Sequence, residues 1–189
     1  MLKLVIGGAC SGKSDFAQEL IKKDCLREEG NLIYLATMTA KDRESLEGIK
    51  RHRKNRKDFG FRTIEMGVDI SRAAALISGK DLVLIEDIPN LVANEFFREG
   101  SNIHTTPCPS ESFGFVDFLV GEIEKLAGGC REIVAVTGDL FSDGAIYEEV
   151  TDRYLRCLAA VNYRLAMKSS YVCEVVCGME NRLKDLNGR

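Results

Sequence analysis

The 189-residue chain has no tryptophan, only three prolines and two histidines, and no apolar run approaching the roughly 18 residues that a membrane span requires. Its seven cysteines (Cys10, Cys25, Cys108, Cys130, Cys157, Cys173, Cys177) include no Cys-x-x-Cys pair. Their odd number and wide scatter fit reduced thiols, not a disulfide framework. Cys173 and Cys177 have no further ligands at matching spacing in His52 or His104, which excludes structural zinc as an expectation. The N-terminus carries no signal-peptide pattern, because its first apolar run is short and leads straight into a glycine-rich loop. A cytoplasmic protein with no membrane span is expected, folded as one domain over residues 1–189. The net charge of −3 argues against a nucleic-acid partner. Lys50 to Lys57 is strongly basic, but no aromatic stacking residues are interleaved with those charges. There is no internal repeat.

Against these absences stands one motif. Gly7-Gly8-Ala9-Cys10-Ser11-Gly12-Lys13-Ser14 satisfies G-x-x-x-x-G-K-[ST]. Leu2 to Ile6 before it reads as a short buried strand, and Asp15 to Lys23 after it sets Phe16, Ala17, Leu20 and Ile21 on one helical face. Between a strand and a helix, the glycines let the backbone wrap phosphates while successive N–H groups and the helix N-terminus point positive charge at them. Lys13 is expected to reach the β- and γ-phosphates, and the Ser14 hydroxyl to bind Mg²⁺. Cys10, set among those amides, is the thiol most open to oxidation.

Strand and helix patterns alternate along the chain, which predicts an α/β fold of the P-loop NTPase type: a mostly parallel sheet with helices on both faces. Strands are expected at Lys3–Ile6, Leu32–Ala36, Arg62–Glu65, Leu82–Ile85, Ile133–Thr137 and Val172–Val176. Helices are expected at Lys13–Lys23, Lys41–Arg56, Ile70–Ile77, Leu91–Arg98, Phe115–Leu126 and Tyr147–Lys168. Gly100 to Gly114 reads as a surface loop, and Glu180 to Arg189 as a polar, fraying end. In such sheets ligands gather at the carboxyl ends of the strands. That rule brings together the P-loop, the turn after Ala36, Glu86 and the loop after Thr137.

A P-loop enzyme needs an acid on a neighbouring strand to hold Mg²⁺ or its water shell. Glu86 is the first candidate and Asp87 the second; the pair also fits a helix cap. Leu46, Ile49, His52 and Arg56 fall at steps of three and four, on one face of the expected helix. A neutral His52 beside several cations could attack an α-phosphate while those cations hold a triphosphate; a lone histidine in a solvated basic helix fits the same residues. The turn Gly138 to Gly144 suits a substrate loop or an ordinary turn. Asn162 in the last helix needs a partner. No Asn-Lys-x-Asp run is present, which removes a small-GTPase reading.

Over nearly its whole length the sequence resembles the bifunctional adenosylcobinamide kinase and adenosylcobinamide-phosphate guanylyltransferases of cobalamin biosynthesis. The P-loop segment, Ile33 to Met38, Ile49 to Arg53 with Arg56 and Arg62 to Glu65, Val83 to Glu86 with Asn90 to Glu95, and Val136-Thr137 with Val161-Asn162 and Arg164 to Ala166 carry the likeness. The resemblance implies a kinase step on the aminopropanol hydroxyl of adenosylcobinamide, using Lys13, Ser14, Mg²⁺ and Glu86. It implies a second step in which GMP from GTP is held on His52 and passed to the new phosphate. Arg53, Lys54, Asn55 and Arg56 would then steady the triphosphate, and Ala36, Thr37, Met38 and Glu65 would line the guanine nucleotide site. GTP, ATP and Mg²⁺ are the implied nucleotides and ion, the corrinoid adenosylcobinamide the implied acceptor, and a homotrimer the implied assembly. Gly138 and Asp139 stand where the family pattern has Asn-Glu, Cys10 occupies a P-loop position that is usually basic or small, and Asp152 falls at the register of an expected arginine. Retention of one activity alone, or a degenerate GTP-binding regulator, are the competing readings.

Overall fold

The apolar runs form strands because each has two faces to bury. In the computed structural model, which describes residues 1–27, 30–38, 60–100, 109–141 and 144–186, seven strands make one sheet. They are β1 (Leu2–Gly7), β2 (Leu32–Ala36), β3 (Arg62–Glu65), β4 (Leu82–Glu86), β5 (Glu132–Gly138), β6 (Tyr171–Val176) and β7 (Met179–Asp185). The order across the sheet is β3-β2-β4-β5-β1-β6-β7, and every neighbouring pair is parallel except β6–β7. The helices are α1 (Lys13–Arg27), α2 (Ile88–Phe96), α3 (Pro109–Gly129) and α4 (Glu149–Lys168), with a 3-10 helix over Ile70–Leu76. The expected helix over Lys41–Arg56 lies outside the described residues.

Side-chain alternation divides the core into two layers. Val83 and Ile85 of β4, with Ile133 and Ala135 of β5, pack beneath the 3-10 helix, α2, α3 and α4. Leu82, Leu84, Val134 and Val136 point the other way, to Ala17 and Ile21 of α1. Phe96 centres the first layer, fully buried, with edge-on rings of Phe97, Phe115 and Tyr154 at 4.9, 5.9 and 6.1 Å. At the amino edge of the sheet, buried Lys3 is gripped between Asp24 of α1 at 2.6 Å and Glu132 of β5 at 3.0 Å. Burial pushes the Glu132 carboxyl above its usual range, against the pull of Lys3.

Three expectations are corrected. The end of the chain does not fray from Glu180: Met179–Asp185 is an edge strand, hydrogen-bonded to β6. Its side chains are largely exposed, so it carries no apolar alternation to betray it; β6 supplies its backbone partners. The region from Gly100 to Gly114 is not loop throughout, because α3 begins at Pro109, where proline's missing N–H costs nothing in a first turn. Helix α2 starts at Ile88, three residues before Leu91, again with proline inside the first turn.

Asn162 finds its partners. The Thr137 hydroxyl donates to Asn162 Oδ1 at 2.7 Å and Asn162 Nδ2 donates to the Gly138 carbonyl at 3.1 Å, all out of water. Asn162→Leu, similar in size, strands both groups and is expected to cost about 2–4 kcal/mol, since each buried orphan is worth about 1–3 kcal/mol. Urea titration measures it, and adding Thr137→Val should recover part of the loss because one orphan disappears. A single variant as stable as wild type would show that the bonds contribute nothing.

The thiols separate by position. Cys130, Cys157 and Cys173 are buried, while Cys10 and Cys177 are exposed. Burial pushes the thiols of Cys130 and Cys173 up to about 11, leaving on the order of one-hundredth of the thiolate that an ordinary cysteine carries at pH 8. An aromatic disulfide reagent at pH 8 is expected to modify Cys10 and Cys177 in its fast phase and to reach Cys130, Cys157 and Cys173 only on unfolding. Peptide mapping of the fast phase checks this, and labelling of Cys173 in native protein would contradict it.

Candidate active site

The turn between β1 and α1 is built by residues that tolerate close backbone approach. A Cβ on Gly7 would lie 2.4 Å from Ser11 Oγ and 2.8 Å from the Val175 carbonyl. Gly12 has φ of 85°, and a Cβ there would come within 3.2 Å of Gly178 Cα. A side chain at Gly7 would collide with the Val175 backbone, and one at Gly12 would be strained by the positive φ and pressed against Gly178. The loop closes on itself through Ser11 N to Gly8 O at 3.3 Å, and α1 opens with Phe16 N to Gly12 O at 3.0 Å. Its amides thus converge at a helix N-terminus, the arrangement that holds phosphate.

A brace comes from the far end of the chain. The β6–β7 hairpin turns through Cys177 and Gly178, with φ of 51° and 78°, and Gly178 N donates to Ser11 O at 2.7 Å. This contact was not anticipated from the sequence. Only the turn had a signal, since a residue followed by glycine between Val176 and Met179 fits a two-residue hairpin turn with both φ values positive.

Lys13 Nζ donates to the Gly8 carbonyl at 3.0 Å, so its ammonium lies over its own loop. The next residue reaches across the sheet: Ser14 Oγ donates to Glu86 Oε1. β5 lies between the strands that bear them, and the start of α1 spans that gap. A serine hydroxyl and a carboxylate in contact are hard oxygen donors, a set that fits Mg²⁺. The two acids offered by the sequence divide the work. Glu86 faces the P-loop, and Asp87 caps α2, accepting from Asn90 N at 2.9 Å and Asn90 Nδ2 at 2.7 Å. Burial pushes the Asp87 carboxyl up, opposed by those two bonds and by nearby Lys13.

The strand ends beside Glu86 collect further candidates. Ala36 is in register with Glu86 on one side and Glu65 on the other. Thr37 is fully buried; its N–H donates to the Glu86 carbonyl at 3.0 Å and its hydroxyl to the Asp87 carbonyl at 2.7 Å. Asn94 Nδ2 ties the Thr37 and Gly67 carbonyls at 2.8 and 3.2 Å, a fastening role not foreseen for it. Met38 and Glu65 are exposed at this edge. The P-loop, Ala36, Thr37, Met38, Glu65 and Glu86 therefore share the carboxyl edge of one sheet. His52, Arg53, Lys54, Asn55 and Arg56 lie outside the described residues.

No described helix is long and apolar enough to cross a membrane. Among solved structures, the flagellar accessory protein FlaH from Methanocaldococcus jannaschii shares the fold, with a TM-score of 0.52 at 14% identity over 97% of this chain and 78% of that one. The sequence comparisons reach further. Two proteins named bifunctional adenosylcobalamin biosynthesis protein CobU, from Escherichia coli K12 and Salmonella typhimurium LT2, are each 30% identical to it, covering 97% of this chain and 100% of their own length. The CobU family model, described as cobinamide kinase / cobinamide phosphate guanyltransferase, matches residues 3–183. With a P-loop whose serine meets the Glu86 carboxylate across an intervening strand and a family match over nearly every residue, the chain belongs to the cobinamide kinase / cobinamide phosphate guanyltransferase family.

Proposed function

We propose that the protein performs both reactions of its family on adenosylcobinamide: phosphorylation of its aminopropanol hydroxyl, then transfer of GMP from GTP to the resulting phosphate. The observation that carries this reading is the Ser14–Glu86 contact beside Lys13, which assembles the parts of a phosphoryl-transfer site on one sheet edge. In the kinase step, the P-loop amides and Lys13 bind the β- and γ-phosphates of ATP or GTP and stabilise the charge that moves onto the leaving diphosphate. Mg²⁺, held by Ser14 and Glu86, would neutralise phosphate charge.

In the second step, a His52 ring nitrogen attacks the α-phosphorus of GTP, the bond to the β-phosphate bridging oxygen breaks, and pyrophosphate leaves. The corrinoid phosphate oxygen then attacks the same phosphorus, releasing His52 and giving adenosylcobinamide-GDP. Arg53, Lys54, Asn55 and Arg56 hold the triphosphate, while Ala36, Thr37, Met38 and Glu65 line the guanine nucleotide site. The acting form is a cytoplasmic homotrimer of single-domain chains.

Incubating the protein with Mg²⁺ and α-labelled GTP, followed by intact-mass analysis, tests the second step. An acid-labile GMP adduct is expected, since phosphoramidates hydrolyse in acid. Tight GTP binding without an adduct would leave a kinase alone, or a GTP-responsive regulator.

A further inference from the structure

The kinase step needs a group to receive the acceptor's hydroxyl proton, and none of the residues placed so far supplies it. Glu86 faces Ser14, and Asp87 is committed to the cap of α2. Between the P-loop and Glu86 lies Asp139. Because β5 stands between β1 and β4, its carboxyl end emerges between the P-loop and the Glu86 strand. Gly138 is in register with Gly7, the first P-loop glycine, and Asp139 follows it directly. This strand end is firmly placed: the buried Asn162 holds both Thr137 and the Gly138 carbonyl.

Asp139 also lines a cavity of about 430 Å³, with Ala9, Leu140, Tyr147, Thr151 and Leu155. The volume lies within the usual range for small-molecule sites, and its walls are apolar apart from one carboxylate and the hydroxyls of Thr151 and Tyr147. One wall, Ala9, is part of the phosphate loop itself. Outside the cavity Phe141, Ile146 and Val150 are exposed, Ile146 completely. Each is next in the chain to a residue that lines the cavity, and exposed apolar side chains so placed suit an acceptor that inserts one arm and leaves a larger body resting on the surface.

Resting on the function proposed above, we infer that this cavity receives the hydroxyl-bearing arm of the corrinoid acceptor and that Asp139 is the catalytic base of the kinase step. The hydroxyl oxygen bonds to the γ-phosphorus as its proton passes to the Asp139 carboxylate. The bond from γ-phosphorus to the β–γ bridging oxygen breaks, and the nucleoside diphosphate leaves with that electron pair. Asp139 then returns its proton to water. Thr151 has no basicity to replace it; its place is as a hydrogen-bonding wall.

The test measures transfer of label from γ-labelled ATP and GTP to adenosylcobinamide, in parallel with the protein's GMP adduct from α-labelled GTP. Asp139→Asn is expected to lower kcat for acceptor phosphorylation by about 10²–10⁴-fold, the usual worth of a general base, with little change in the KM of the nucleotide. The GMP adduct, a separate reaction, should still form and reports a folded protein. Asp139→Glu should restore part of the rate, and Leu140→Asp should raise the acceptor KM at least about tenfold while the nucleotide KM stays put. If the asparagine variant fails to fold, the glutamate and Leu140 variants decide. An active wild type with Asp139→Asn within threefold of it overturns the assignment alone. A wild type that forms the adduct but phosphorylates no corrinoid overturns the kinase half of the proposed function, and this inference with it.

Discussion

Replacing His52 with alanine is expected to abolish the GMP adduct, to below one-thousandth of the wild-type yield, while GTP still binds and the corrinoid is still phosphorylated. The size of the effect follows from the chemistry. A phosphoramidate needs a neutral nitrogen nucleophile, and near pH 7 imidazole is the side chain that offers one without a large shift in its proton affinity. In the proposed function, Lys50, Arg51, Arg53, Lys54 and Arg56, near His52 in the sequence, would hold phosphate as cations and not attack it. Intact-mass measurement of the alanine variant with α-labelled GTP reads the result directly. The phosphate cradle lies on other residues, so nucleotide affinity should change by less than about threefold. An adduct of undiminished yield would transfer the nucleophile's role to another side chain, and mapping its acid-labile site would identify which.

Lys13→Ala should produce the second large loss, about 10²–10³-fold in phosphoryl transfer at saturating nucleotide, the scale seen when one preorganised donor to developing charge is removed. In the structure the Lys13 ammonium rests on the Gly8 carbonyl at 3.0 Å, inside the loop whose amides form the cradle. In the proposed reaction, binding a triphosphate would exchange that neutral acceptor for phosphate oxygens, with the greatest gain when charge accumulates on the leaving group. Stability should stay within about 0.5 kcal/mol, since Lys13 is not part of the buried core. A rate within fivefold of wild type would show that the loop binds phosphate without assisting transfer. A variant that melts far below wild type would instead mark Lys13 as a structural strut of the loop.

Much of this site is legible from residue order because its parts are local. G-x-x-x-x-G-K-[ST] between an apolar strand and an amphipathic helix specifies a turn, a helix N-terminus and two candidate functional side chains within eight residues. Glu86 was legible because four apolar residues precede it and strand ends gather ligands. The sequence left open whether Glu86 and Asp87 hold a metal or cap a helix, and tertiary packing shows each acid in a different post. The hairpin brace on Ser11 was not legible: it joins positions more than 160 residues apart, and β7 carries polar residues on both faces. Asn94 was equally hidden, because a helix-borne amide that fastens two loops looks like any exposed asparagine until the loops are in place.

By itself the sequence determined the α/β class, the six parallel strands within a residue or two of their ends, the P-loop and its family, since apolar periodicity and motif spacing act over a few neighbouring residues. Only the tertiary structure decided that the P-loop serine and Glu86 meet across an intervening strand, that Asp139 opens onto a cavity walled by Ala9, and that the chain's last strand props the loop at its beginning. Those contacts depend on strand order and on which residue falls opposite which. Order and register are set by how the whole sheet buries its two apolar faces, a sum over long-range pairs that no local pattern encodes.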